Sequence, residues 1–240
     1  MKKPRALSAT IRAVGSMFLL GASVSANAGW FGLGGTSWKE EVLLHDGSKI
    51  VVNRWIERGG RHEIGQLPPY QGQTLAFVQP ITGAKIEWED RSSDDLYTSN
   101  FLLVALDIVN ETLYLVVTPM GCLSYNKWGR PNPPYVAFKH GSSAWERIQL
   151  SELPAEIRMP NLIISSPDTK VNKLGKDVVT ASDIAKANTG FRQPEYRSIV
   201  REPIKPNSVE GSLVDCPDYN SPRYTSPKAP NPISPLPTSR

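Results

Sequence analysis

Histidine and cysteine are scarce in this 240-residue chain: His45, His62 and His140, with Cys122 and Cys216. No two histidines stand at a metal-ligand spacing such as His-x3-His. The sequence therefore names no metal site and implies no cofactor. No serine sits in a Gly-x-Ser-x-Gly elbow. The stretch "RGGRHEIG" (58–65) lacks the Gly-Lys-Ser/Thr ending of a phosphate loop, and no helix follows it. It reads instead as a flexible loop carrying Arg58 and Arg61. "EWEDRSSDD" (87–95) gathers Glu87, Glu89, Asp90, Asp94 and Asp95 but lacks the glycine turn of a calcium loop. Nor is there an apolar run of the roughly 20 residues that a membrane-spanning helix requires.

The longest apolar run, "VGSMFLLGASV" (14–24), has the length of a signal-peptide core. "MKKPR" supplies a basic start before it. Ala26 and Ala28 supply small side chains at the −3 and −1 positions of a cleavage site. Residues 1–28 thus read as a signal peptide, cleaved after Ala28, which places the mature chain in the periplasm or outside the cell. The charge balance changes with it. The whole chain carries 27 basic and 23 acidic residues, but four of the basic ones (Lys2, Lys3, Arg5, Arg12) and none of the acids lie in the leader. The mature chain is then neutral, 23 against 23, and offers no basic surface to nucleic acid or anionic lipid. Nucleic-acid binding is set aside on that ground. In an oxidising compartment the two cysteines have one pairing, Cys122 with Cys216. Closing so long a loop stabilises the fold by about 4–5 kcal/mol in the chain-entropy model.

After a Gly-rich linker (29–36), periodicity turns to strands over 37–165. "WKEEVLLH" and "SKIVVNRWI" flank Asp46-Gly47, a dipeptide suited to a tight hairpin. "TLAFV" and "AKIEWE" flank "QPITG", and the second alternates wet and buried positions. "FLLVALDIV" and "TLYLVV" flank Asn110-Glu111, and "PYVAFKH" and "WERIQL" flank "GSSA". The run 101–109 is apolar at nearly every position, as in a central strand covered on both faces. Four hairpins, about eight strands, predict an all-β fold: an antiparallel sandwich or barrel. "SELPAEI" reads as a helical turn capped by Ser151, "NLII" as a ninth strand, and "YRSIV" as an ambiguous short strand. "ASDIAKANTG" reads as a short helix capped by Ser182. Residues 166–216 form an extension packed on the β domain. The Pro/Ser-rich stretch 217–240 reads as a disordered, solvated tail.

The chemistry-bearing residues concentrate in "GCLSYNKWGRPNPPYVAFKH" (121–140). Cys122 follows a strand rather than opening a helix, so nothing depresses its pKa; a disulfide is the expected state. Arg130, Asn132 and Pro133 each precede a proline, which predicts a stiff, extended loop. Tyr125, Trp128 and Tyr135 then pack beneath it. The second reading exposes Tyr125, Trp128, Arg130, Asn132 and Tyr135 as a recognition face for an extended peptide or a sugar.

The blocks "GCLSYNKWGRPNPPYVAFK", "WKEEVLLHDGSKI" and "RGGRHEIG" resemble an uncharacterised group of exported proteobacterial proteins, over about residues 37–165. That resemblance implies a bacterial, periplasmic or extracellular setting and no activity. Together these features predict a non-enzymatic, envelope-associated binding or structural protein, whose partner is an envelope protein or a glycan. The competing reading is a cell-wall or glycan hydrolase using carboxylates near 87–95 or a Cys122/His140 pair.

Overall fold

A computed structural model of the protein describes residues 34–222. The expected signal peptide, most of the Gly-rich linker and the stretch from 223 onward lie outside the described residues. All four hairpins form with antiparallel pairing: β1 (Thr36–Leu43) with β2 (Lys49–Arg58), and β3 (Tyr70–Val78) with β4 (Lys85–Arg91). β5 (Phe101–Val109) pairs with β6 (Thr112–Pro119), and β7 (Val136–His140) with β8 (Trp145–Ile148). The β1–β2 turn uses Gly47 at φ +85°, with the Asp46 carboxylate accepting from the Ser48 N–H at 2.8 Å. At the β5–β6 turn Asn110 and Glu111 both adopt left-handed backbone, the geometry that suits two-residue hairpins.

With a two-residue β9 (Val178–Val179), the strands form two sheets, ordered β4-β3-β2-β1-β9 and β5-β6-β7-β8, so the fold is a sandwich and not a closed barrel. Their facing sides share one apolar core, in which Val42, Val52, Leu75 and Trp88 meet Phe101, Leu103, Leu115 and Val117. β5 corrects one expectation. It is covered on both faces, yet it is an edge strand, because the chain after Leu150 packs over its far side through Leu153, Ile157, Ile164 and Ile199. Burial on both faces comes here from layering and not from a central place in the sheet.

That C-terminal stretch departs most from its sequence reading. The segment "NLII" is not a strand; the ninth strand is β9 (Val178–Val179), two residues parallel to β1. "YRSIV" is likewise irregular, after a 3-10 turn at Pro194–Tyr196. The turn at Leu150–Glu152 is capped by Gln149, not by Ser151. Before β9 comes an unforeseen helix, α2 (Pro167–Leu174). The predicted helix (Ala181–Ala187) forms, but Thr180 caps it rather than Ser182, because Thr180 and Asp183 close a reciprocal capping box. The first residues of the expected tail are also ordered into the body: Asn126 donates to the Pro217 carbonyl at 2.8 Å and accepts from the Tyr219 N–H at 3.0 Å.

An edge strand leaves backbone donors and acceptors that must find partners. On β5 they find one asparagine. The Asn161 carboxamide accepts from Leu106 N–H at 2.9 Å and donates to Leu106 C=O at 2.8 Å, as a paired strand would. The same amide nitrogen lies 2.9 Å from the Leu43 carbonyl, which joins the two sheets. Val104, the extra residue where the β5–β6 register shifts, turns its carbonyl to the N–H groups of Asn161 and Leu162. Two residues on, Ile163 is gripped by a buried ion pair. Glu40 Oε2 accepts from its N–H at 3.2 Å and Arg54 Nη1 donates to its carbonyl at 2.9 Å. Arg54 Nη1 donates to Glu40 Oε1 at 2.9 Å with almost no exposure, and Trp38 Nε1 donates to that Oε1 at 2.7 Å. Asn161→Ala strips partners from Leu106 and Leu43 together and should cost about 2–3 kcal/mol in urea unfolding. Asn53→Ala, an exposed asparagine on β2, should change stability by less than about 0.5 kcal/mol. Equal losses would show that the Asn161 amide bears no special share of the fold.

Candidate functional site

The segment 121–140 begins with a correction. β6 ends at Pro119 and the chain enters a short helix, α1 (Gly121–Lys127), so Cys122 opens a helix rather than trailing a strand. Its sulfur is bonded to Cys216, with S–S 2.02 Å. Predicted pairing and observed pairing agree, and Cys122 is not free to act as a nucleophile. Tyr125 and Tyr135 are buried, at 2% and 4% exposure, so neither ring presents a recognition face. Tyr125 packs with Leu213 and Cys216. The Tyr135 hydroxyl lies 2.7 Å from the Glu195 carbonyl and 2.9 Å from that of Ser198, and burial raises its pKa. Trp128 is half-buried: its ring centroid is 4.6 Å from that of Phe101, and its Nε1 donates to Asn100 at 3.0 Å.

Arg130 and Asn132 are brought together by what they hold. The Arg130 guanidinium reaches the Cys216 carbonyl at 2.8 Å and the Pro217 carbonyl at 2.9 Å, and stacks over Tyr125 with 5.1 Å to the centroid. The Asn132 carboxamide donates to Ile204 C=O at 2.9 Å and accepts from Ile204 N–H at 2.7 Å. The Asn132–Pro133 peptide bond is cis. This corner therefore clamps the end of the C-terminal extension onto α1, and the first of its two sequence readings, rings packed beneath a stiff loop, describes its tyrosines.

The carboxylates of 87–95 do not converge. Glu87 and Glu89 point to solvent from alternate positions of β4, where Glu89 pairs with Arg91. Asp90 points inward and is consumed by structure. It accepts from Phe101 N–H at 2.9 Å, Asn100 at 2.7 Å and Gln73 at 3.1 Å, while burial raises its pKa against those bonds. Asp95 pairs with Lys127 at 2.9 Å. His140 sits edge-on to Trp145, and His62 is exposed, with Nδ1 3.1 Å from the Gly60 carbonyl. Among the described residues no cluster of histidine, cysteine and acidic side chains could hold a metal ion, and no helix is long and apolar enough to cross a membrane. One imidazole–carboxylate pair escaped the sequence reading: His45 Nδ1 lies 2.8 Å from Asp107, whose hydrogen bond raises the histidine's pKa. Its one visible trace was a lone acid inside the apolar run of β5.

A concavity lies elsewhere, at one end of the sandwich. There the 59–69 loop, the 92–100 connection and Ser165–Ser166 surround a groove of about 540 Å³. Leu67, Pro68, Leu96, Leu102 and Met120 give it an apolar wall, and Arg58 and Arg61 give it charge. Arg58 is held in place by a bidentate contact to Asp168, at 2.6 and 2.9 Å, and lies over the Tyr70 ring at 4.3 Å. Tyr97 stands at the rim with 75% of its surface exposed, and Leu67 with 55%. The sequence reading noted Arg58 and Arg61 but missed the groove, because its walls come from four separated segments. No family model, no curated protein and no solved structure matches the chain.

Glu195 is a different kind of buried acid. It has no exposed surface, and neither its carboxyl oxygens nor the neighbouring Ser212 hydroxyl makes a hydrogen bond of good geometry, though Ser212 and the Glu195 N–H lie close enough to interact with the carboxylate. Desolvation raises its pKa, against a smaller lowering by its own N–H and Ser212, and Asp215 adds to the rise. The folded protein therefore holds the Glu195 proton more tightly than the unfolded chain. Its stability at this site is full below the ordinary glutamate value of 4.5 and falls as pH rises through the raised one. Glu195→Gln should remove that loss, stabilising the protein by about 1–3 kcal/mol at neutral pH and by little at pH 4. Urea midpoints at the two pH values test this; a destabilised variant at neutral pH would mean that the ionised carboxylate has a partner.

Proposed function

We propose that the protein is an exported module of a bacterial envelope that binds a partner, protein or glycan, without chemical turnover. Residues 1–28 serve as its signal peptide, and the uncharacterised proteobacterial group sharing the 121–139 block is its family. The observation that carries the binding role is the groove beside Arg58, where large apolar side chains remain exposed in a concave, charged setting. The Cys122–Cys216 bridge supports the exported setting, since such bonds persist in oxidising compartments. Two dispositions weigh against the hydrolase reading. The carboxylates of 87–95 diverge, and Cys122 is spent in the disulfide.

Cell fractionation combined with intact-mass measurement tests the exported setting. The native protein should be recovered from the periplasmic or extracellular fraction, beginning at Gly29, with both cysteines unreactive to alkylation until reduced. A cytosolic chain that still carries Met1 would contradict it.

A further inference from the structure

We propose that the groove beside Arg58 takes an extended peptide presenting a large apolar side chain next to a carboxylate. This rests on the binding reading above and specifies its ligand. Charge complementarity carries it. Two guanidinium groups line the groove and no acidic side chain does. Arg58 commits three N–H groups, Nε and Nη2 to Asp168 and Nη1 to the Pro68 carbonyl. A guanidinium has five; the Tyr70 hydroxyl takes up a fourth, and the last is already oriented by the Asp168 fork. Asp168 offsets the charge of Arg58, which leaves that of exposed Arg61 without an acid among the lining residues. A carboxylate entering here meets a donor fixed in advance and loses little entropy in pairing with it.

The apolar half of the ligand follows from Tyr97 and Leu67. Tyr97 lies in left-handed backbone at φ +57°, a conformation that costs an aromatic residue and that asparagine or glycine would adopt more easily. Its N–H is held to the Ser93 carbonyl at 2.8 Å, so the ring is kept out at the rim by its backbone and not by packing. Pro68 and Pro69, also in the lining, stiffen the base of the loop that carries Leu67. An exposed ring and an exposed aliphatic side chain in one groove with Leu96, Leu102 and Met120 suit one large apolar side chain. The hydroxyls of Thr98, Ser165 and Ser166 offer further polar contacts along the way to the backbone of an extended chain.

The test is a random octapeptide array probed with the purified full protein, labelled, alongside Arg61→Gln and Tyr97→Asn variants. Neither residue holds the fold, so thermal unfolding should not fall below the wild type, and Tyr97→Asn, which suits the left-handed backbone, should raise it slightly. Retained peptides should be enriched in aspartate or glutamate adjacent to leucine, isoleucine or phenylalanine, and each variant should weaken retention by about tenfold or more. An array with no retained peptide, retained sequences without acids, or retention unaffected by both substitutions would overturn the assignment. Capture from envelope fractions separates this failure from that of the broader reading. A component retained equally by wild type and variants leaves binding intact and removes the groove as its place. No retained component removes both.

Discussion

Backbone polar groups without a strand to pair with are the constraint on which this structure depends. More than a third of the described chain, from Leu150 to Pro222, holds one strand of two residues, yet it must lie dry against the outer face of a sheet. Hydrogen bonds that a ladder would supply come instead from asparagine. The carboxamide carries a donor and an acceptor in a peptide-like plane, so one side chain can stand in for one residue of a partner strand. Asn161 does so for Leu106 and Asn132 for Ile204. Asn126 spans Pro217 and Tyr219, and Asn188 spans Leu162 and Ile164. Four asparagines thus replace a ladder that the extension does not have.

The disulfide and the Glu40–Arg54 pair act at the same seam. A buried ion pair alone is weak evidence of stability, since desolvation offsets much of the attraction. Here the charges do more than attract each other: they satisfy the N–H and C=O of Ile163 where no strand reaches. The bridge fixes the far end, where Arg130 also reads the Cys216 carbonyl. Trp145 on β8 closes the opposite edge by donating to the Glu87 carbonyl on β4 at 2.8 Å. With both edges covered, the sandwich keeps a groove at the end where Arg58, Leu67 and Tyr97 are found.

The parts legible in the sequence were those whose signals are local. Asp46-Gly47 marks a turn by its own backbone preferences, and alternation in "AKIEWE" marks a half-wet strand, so all four hairpins were within reach. The disulfide was legible because two cysteines have one pairing. What stayed hidden depends on distance in space. Asn161 and Leu106 stand 55 residues apart, and nothing in "NLII" says that its neighbours will be side chains rather than a strand. Glu40 and Arg54 sit at inward positions of otherwise ordinary alternating strands, where their charge argued for the wet face. Tyr125 and Tyr135 suited a packed corner first and a binding face second, and their burial under the extension agrees with the first. Exposed Tyr97 and Leu67 had no motif at all.

The central claim is that side-chain amides bind the extension to the sheets as one cooperative unit. All six tryptophans precede residue 150, although Trp38 packs in one cluster with Ile163 and Val171 of the extension, so their fluorescence reports chiefly on the body. Hydrogen exchange at the Leu162, Ile163 and Ile199 amides, followed at rising urea against tryptophan fluorescence, reads the two parts separately. A single shared midpoint is the predicted result. Exchange at those amides well below the tryptophan transition would show an extension that peels away first, and would contradict the account.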